Sequence, residues 1–97
     1  MIDTPDPRLR VLFVCIANAT RSQMAEGWAR TLRADRIDPY SAGVRPLGRV
    51  SQRAVRVMEE VGVDMSQQWS KGLDEWPGLT FDYVVVLCDH ANELCPA

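Results

Sequence analysis

One short stretch of the sequence carries the residue types that nucleophilic and anion chemistry need. It reads CIANATRS, with five residues between Cys15 and Arg21. A thiolate is a strong nucleophile, and a guanidinium binds two oxygens of an oxyanion at once. Backbone amides of the small residues between them can wrap around a tetrahedral oxyanion. We therefore interpret Cys15 as a nucleophile that lies beneath an anion held by Arg21 and the loop.

The predicted anion-binding residues are the whole loop: Cys15, Ile16, Ala17, Asn18, Ala19, Thr20 and Arg21. Ser22 can donate a hydrogen bond to the sulfur, and Asn18 can hold the loop in a strained shape. The alternative makes Cys15 a small buried hydrophobe and Arg21 a surface charge, since three cysteines and ten arginines make such a spacing unsurprising. An arginine in the first turn of a helix opposes the helix dipole, and this favours the anion site.

The loop must be positioned by a strand before it and a helix after it. Arg10 to Cys15 is an almost continuous apolar run, which is typical of a strand buried on both faces of a parallel sheet. From Ser22 onward, apolar residues share one face of a predicted helix: Met24, Ala25, Trp28, Ala29 and Leu32. The turn after a central strand is where ligands bind in such sheets, so the motif lies at the expected place.

The remaining segments continue the same alternation. Ile37 to Ala42 predicts a short edge strand, because a proline such as Pro39 is tolerated only at the start of a strand or at the rim of a sheet. Ser51 predicts the cap of a second helix that stops at Gly62, with an apolar face of Ala54, Val57, Met58 and Val61. A polar loop with a short helical piece at Leu73 to Trp76 leads to a strand at Phe81 to Cys88, apolar enough to be central. The order predicts an α/β fold with an open parallel sheet.

Composition indicates one globular domain over residues 10–97, after a loose lead-in of residues 1–9, with 46% hydrophobic and 25% charged residues. A net charge of −2 argues against a nucleic-acid or membrane-surface binder. The sequence has no apolar run of membrane length and no signal-peptide core, so we expect a cytoplasmic protein. Three cysteines without secretory context indicate thiols rather than a disulfide framework.

Four segments together resemble the low-molecular-weight protein tyrosine phosphatase superfamily, and within it the thioredoxin-coupled arsenate reductases. They are VLFVCIANATRSQMAEGWAR, YSAGV, AVRVMEEVGVDMS and FDYVVVLCDHANELCP, and the resemblance runs from Arg10 to Pro96. It implies a Rossmann-like three-layer fold in which Cys15 attacks arsenate while Arg21 and the loop amides bind its oxygens. It also implies that Cys88 and Cys95 complete a thiol relay and that thioredoxin is the reductant. For this chain we expect no cofactor and no metal ion.

The residues themselves leave the roles of Cys88 and Cys95 open. Cys88 ends a predicted strand at the sheet edge where Cys15 lies, and Cys95 follows seven residues later, so a redox pair is possible. A helical segment would hold the two cysteines about 10 Å apart along its axis, beyond the roughly 7 Å that a disulfide allows. Forming the bond would therefore require the segment to unwind or loop back. The alternatives are a core cysteine with a loop cysteine, or a metal site with His90, although the spacing lacks a zinc knuckle.

The sequence also departs from the family pattern. Relatives continue with a further strand, a helix and an Asp-Pro loop that supplies a general acid, whereas the Asp-Pro pairs here are Asp6-Pro7 and Asp38-Pro39. We expect a chain without that acid to react slower by a factor of about 10²–10⁴. Lys71 falls where some relatives place an acidic residue near a monovalent-cation site assembled with the counterparts of Asn18, Glu26 and Ser41. Its ammonium could fill that space, so we do not expect potassium dependence. The alternative is that Lys71 is solvated surface, the commoner fate of a loop lysine.

The sequence therefore predicts reduction of arsenate to arsenite, with phosphate or sulfate as mimics of the substrate. The proposed catalytic residues are Cys15, Arg21, Ser22, Cys88 and Cys95. One alternative is a phosphatase that needs only Cys15 and Arg21, and another is an inactive anion-binding or redox module. A last strand left open at Phe81 to Leu87 also predicts a dimer or poor solubility, because an apolar edge pairs with other chains.

Overall fold

A computed structural model describes residues 7–87, and its elements follow the predicted order. They are β1 (Leu9–Cys15), α1 (Arg21–Arg33), β2 (Ile37–Gly43), α2 (Gln52–Glu60), a 3₁₀ turn (Leu73–Glu75) and β3 (Tyr83–Val86). The strands are parallel in the order β2-β1-β3, which makes β1 central and confirms the open parallel α/β sheet. None of the helices within residues 7–87 could cross a lipid bilayer.

Different elements cover the two faces of the sheet. Side chains alternate along a strand, so Leu12 and Val14 share one face, where Tyr40 and Trp76 pack against them. The rings of Tyr40 and Trp76 meet edge to face with centroids 4.9 Å apart. On the opposite face Ser41 of β2 is bonded to α1. The central strand is therefore buried on both sides, as its continuous apolar sequence predicts.

The edge position of β2 explains its proline. Pro39 lies opposite Val11 of β1, and β2 has no strand on its other side among the described residues. A proline cannot donate to a sheet ladder, so it is tolerated where one side of the strand is unpaired. The predicted edge strand is confirmed, and the proline lies within it rather than at its start.

Helix α2 begins and ends where the sequence predicts. The Ser51 hydroxyl accepts a hydrogen bond from the amide of Ala54 at 3.2 Å, and Gly62 follows the helix with φ of 84°. Only part of the predicted apolar face is buried. Ala54 and Met58 belong to a core cluster that also contains Val63 and Met65, whereas two valines of that face are exposed, Val57 and Val61.

Helix α1 buries a face that the hydrophobic pattern does not select. Its buried residues are Ser22, Gln23, Glu26 and Gly27, and three of them are polar. Two large apolar residues of the predicted face are exposed, Trp28 at 37% and Leu32 at 64%. The expectation that an amphipathic helix buries its apolar side is wrong here, because the inner side of α1 bonds to the loop after β1 and to β2.

The last described strand is shorter and more exposed than predicted. β3 spans four residues, and within residues 7–87 it is an edge strand rather than a central one. Tyr83, Val84 and Val86 are all exposed. Because neighbouring residues of a strand point to opposite faces, each face of β3 carries an exposed side chain, and only Val85 is half-buried. Cys88, at the end of the predicted strand, lies outside the described residues.

Among residues 7–87 no strand pairs with the outer side of β3, and an apolar edge of this kind predicts self-association. Replacing Val84, which is 53% exposed on β3, with lysine should reduce association, because a charge on an edge strand opposes strand pairing. Light scattering over a concentration series measures this. The control is Val57→Lys, at a valine of similar exposure on α2. A wild-type chain that stays monomeric at the highest concentration would contradict the prediction.

Candidate active site

Cys15 is the last residue of the central strand, and its thiol is buried. The residue is 4% exposed, and its Sγ lies 2.9 Å from the hydroxyl oxygen of Ser22 in the first turn of α1. The backbone amide of Asn18 donates to the same sulfur at 3.2 Å. Two hydrogen-bonding groups therefore converge on Cys15 Sγ.

Asn18 holds the loop between Cys15 and α1 in an uncommon backbone conformation. Its φ is 50°, in the left-handed region that asparagine tolerates better than most residues. Its side-chain nitrogen donates to the Ser22 hydroxyl at 2.7 Å, and its side-chain oxygen accepts from Gln23 at 2.9 Å. The residue is completely buried, so these bonds form away from water.

The carbonyl groups of the loop are bonded outward, to the segment that follows β2. The carbonyls of Cys15, Ile16, Ala17 and Ala19 accept from backbone amides of residues 44, 45, 47 and 51 at 2.8–3.1 Å. Ala17 also accepts from the Ser70 hydroxyl at 3.1 Å. The loop is thus fixed by its oxygens, which leaves its amides available on the other side.

Those amides and the start of α1 form a region suited to a negative charge. Within residues 7–87, the amides of Ile16, Ala17, Ala19 and Thr20 have no protein acceptor. Helix α1 has no side-chain cap at Thr20 and no acidic residue in its first turn. Free amides and the positive end of a helix dipole bind anions in many proteins. The geometry is therefore compatible with the predicted anion loop.

Arg21 is the first residue of α1, and its guanidinium reaches toward β3. Its Nη1 donates to the carbonyl of Leu87 at 3.1 Å, and the side chain is exposed. A guanidinium carries five N–H donors, so this bond leaves others for an anion. Cys88 and Cys95, and the alternative metal ligand His90, lie outside the described residues.

Gly43 lets β2 approach the loop closely. A Cβ atom at this position would lie 2.7 Å from the carbonyl oxygen of Ile16 and 2.8 Å from the amide nitrogen of Asn18. Both neighbours are backbone atoms of the loop, which cannot swing aside as a side chain can. Only glycine therefore allows the present separation of β2 and the loop.

Gly43→Ala should lower the free energy of unfolding by about 1–3 kcal/mol, because the added carbon overpacks a backbone contact. Urea denaturation measures the change. Gly27→Ala is the control, since its Cβ would meet only side chains, at 3.0–3.3 Å, and alanine suits a helix better than glycine. Equal stability losses in the two variants would contradict the prediction.

A buried polar network lies behind the loop. Lys71, which is 4% exposed, donates from Nζ to the Ser41 hydroxyl at 2.9 Å and to the Trp69 carbonyl at 2.8 Å. Its Nζ also lies 3.5 Å from a carboxylate oxygen of Glu26, and that carboxylate accepts from the Ser41 hydroxyl at 2.5 Å. The other carboxylate oxygen of Glu26 is paired with Arg30 at 2.6 Å. The network thus joins α1, β2 and the segment before the 3₁₀ turn.

Three side chains that support the loop, two glutamines and one serine, were not predicted from the sequence. Gln23 donates to the Asn18 backbone and side-chain oxygens, and Gln68 donates to both oxygens of Gln23. Ser70 connects Ala17 to the amide of Gly48. Gln23 directly follows Ser22 in the motif, which is a local signal. Gln68 and Ser70 come from a distant loop, and nothing in their local sequence marks them.

Burial lowers the pKa of Lys71 below its ordinary value of 10.5, and the Glu26 carboxylate opposes this effect. The folded chain therefore releases the Lys71 proton more readily than the unfolded chain. Where the unfolded chain binds more protons, stability rises with pH. The contribution of Lys71 to stability should accordingly increase as the pH approaches 10.5.

We expect the free energy of unfolding of the wild type, minus that of Lys71→Met, to increase as the alkaline pH rises toward 10.5, the ordinary pKa of Lys71. Urea denaturation of both chains across this range gives the difference. Taking the difference cancels groups common to both chains, including Tyr40, whose pKa burial and Asp38 raise. A difference that stays flat or falls with pH would count against the assigned direction.

The chain matches proteins of known families over most of its length. The family model for low molecular weight phosphotyrosine protein phosphatase covers residues 10–97. An arsenate reductase of Halalkalibacterium halodurans is 45% identical over 87 residues, 90% of this chain and 62% of that protein. An arsenate reductase of Staphylococcus aureus is 41% identical over 87 residues, 90% of this chain and 66% of that protein.

A solved structure of an arsenate reductase in the phosphate-binding state is 44% identical, with a TM-score of 0.76 over 82% of this chain and 60% of that one. The chain spans 62–66% of the length of the two curated relatives. Because this family model covers nearly the whole chain, the chain belongs to the low molecular weight phosphotyrosine protein phosphatase family.

Proposed function

We propose that the chain carries the reaction centre of an arsenate reductase. The observation that carries this proposal is the Cys15 sulfur, contacted by Ser22 and Asn18 below a loop whose amides, unpaired within residues 7–87, can bind an oxyanion. The relatives named arsenate reductase, 41–45% identical over 90% of the chain, support arsenate as the oxyanion. Phosphate is a suitable mimic, since one related structure is in a phosphate-binding state.

The first step of the proposed reaction takes place at Cys15. Its thiolate attacks arsenic and forms a sulfur–arsenic(V) bond, while one arsenate oxygen leaves as water after taking up protons. Arg21 and the loop amides hold the remaining oxygens, where negative charge develops. Once the thiolate has formed, its sulfur can accept hydrogen bonds from the Ser22 hydroxyl and from the amide of Asn18, which lie 2.9 Å and 3.2 Å away.

The next steps use the two cysteines outside the described residues. The Cys88 thiolate attacks the Cys15 sulfur, the sulfur–arsenic bond breaks, and its electron pair leaves with arsenic as arsenite. The Cys95 thiolate then attacks the Cys88 sulfur, which releases Cys15 and leaves a Cys88–Cys95 disulfide. Two thiols are oxidised and arsenic gains two electrons. The dithiol of thioredoxin, which the resemblance implies as reductant, would restore the cysteine pair.

A single turnover of the fully reduced chain with arsenate tests this sequence. Two of the three thiols should be lost, and mass spectrometry should locate a Cys88–Cys95 disulfide. Phosphate in place of arsenate is the control and should leave all thiols intact, because phosphorus does not accept the electrons.

Two variants separate the steps. Cys95→Ser should stop at a Cys15–Cys88 disulfide, whereas Cys15→Ser should lose no thiol to arsenate. If a folded wild-type chain keeps all three thiols, the reductase proposal is wrong. Hydrolysis of a phosphate ester that persists when Cys88 and Cys95 are both serine would favour the phosphatase reaction, whose family description the chain matches.

A further inference from the structure

The ammonium of Lys71 has a complete set of oxygen partners. Its three N–H groups match three acceptors: Ser41 Oγ at 2.9 Å, the Trp69 carbonyl at 2.8 Å and Asn18 Oδ1 at 3.4 Å. The Glu26 carboxylate at 3.5 Å supplies the opposite charge. The ring of Trp69 also faces Nζ, with its centroid 4.7 Å away, within cation–π range.

This oxygen set would suit a monovalent metal ion, as the family resemblance implies, but Lys71 already fills it. Hard cations take carbonyl, hydroxyl and carboxylate oxygens in place of water. A second positive charge a few ångströms from the ammonium would be repelled, and repulsion is stronger in a buried site than in water. The residues present therefore do not fit a resident metal ion.

The charge of Lys71 bears directly on the orientation of Asn18. Asn18 Oδ1 accepts from both Lys71 Nζ and the Lys71 backbone amide, the latter at 2.9 Å. A flipped side-chain amide would turn its own N–H groups toward the ammonium and lose both bonds. The ammonium thus selects the orientation in which Asn18 Nδ2 donates to Ser22 Oγ, the group next to Cys15 Sγ.

We propose that Lys71 is a positioning residue, a built-in cation that orients Asn18 and through it the anion loop around Cys15. The proposal rests on the proposed function only in taking this loop as the reacting site. A lysine suits the position because its ammonium is a compact charge, whereas the planar guanidinium of arginine is larger. Lys71 is the only lysine of a chain with ten arginines.

The test measures how well phosphate protects Cys15 from iodoacetamide, with the Cys15 peptide followed by mass spectrometry. Lys71→Met fills the space without charge and should weaken phosphate binding about tenfold, the usual worth of a hydrogen bond to a charged group. Arg33→Met removes an exposed charge from α1 and should bind phosphate as the wild type does.

Lys71→Ala distinguishes a positioning role of the ammonium from a merely structural role of the side chain. It leaves the oxygens of Asn18, Ser41 and Glu26 without a cation, so potassium chloride should restore phosphate protection, and choline chloride at the same ionic strength should not. Lys71→Met, whose side chain occupies the space, should not respond to potassium. Phosphate affinity equal to wild type in folded Lys71→Met would overturn the proposal, as would a loss in Lys71→Ala that potassium does not reverse.

Two further measurements keep the test decisive. If phosphate fails to protect Cys15 even in the wild type, the proposed function is in doubt, and the alkylation rate without phosphate decides the role of Lys71. That rate should fall about tenfold in Lys71→Ala and recover with potassium, and an unchanged rate would overturn the role.

If the variants do not fold, the wild type labelled with ¹³C at lysine Cε gives one lysine signal in an NMR spectrum. Phosphate should shift it, and a signal that does not move would refute the coupling.

Discussion

The side-chain amide of Asn18 is bonded at both ends, and the candidate active site depends on this arrangement. Its oxygen accepts from Gln23 and Lys71, and its nitrogen donates to Ser22. A left-handed backbone conformation costs a non-glycine residue about 1–3 kcal/mol, so surrounding contacts must hold it. Those contacts come from α1 and from a segment more than fifty residues away in the chain, at Lys71. The sheet and helix bring these distant partners together.

The same requirement explains why the inner face of α1 is polar. A buried polar group costs free energy unless it is hydrogen-bonded, and Ser22, Gln23 and Glu26 all have partners in the loop, in β2 or in the segment before the 3₁₀ turn. The helix acts as a support for the loop as much as a cover for the sheet. The apolar packing of the fold is instead concentrated around β1 and α2.

The elements of the fold were predictable because their signals are local. A continuous apolar run predicts β1, Ser51 predicts the start of α2, and Gly62 predicts its end. The buried face of α1 was not predictable from hydrophobic periodicity, since polar partners from elsewhere decide it. The loop of the candidate site was predictable from Cys15, Arg21 and Ser22, but Gln68 and Ser70 reach it only through the tertiary structure. The position of β3 at the edge of the described part of the sheet likewise depends on which strands lie beside it, not on its own apolar sequence.

The burial of Lys71 has a consequence for the chemistry of the protein surface. Lys71 is the single lysine, and the other basic side chains are ten arginines and His90. Because Lys71 is buried, the folded chain offers no accessible side-chain amine. Acetylation, amine-directed crosslinking and ubiquitin transfer to a lysine all need that amine exposed. These reactions can reach Lys71 only after the loop network has opened, so the extent to which an amine reagent modifies it reports how often the chain unfolds locally.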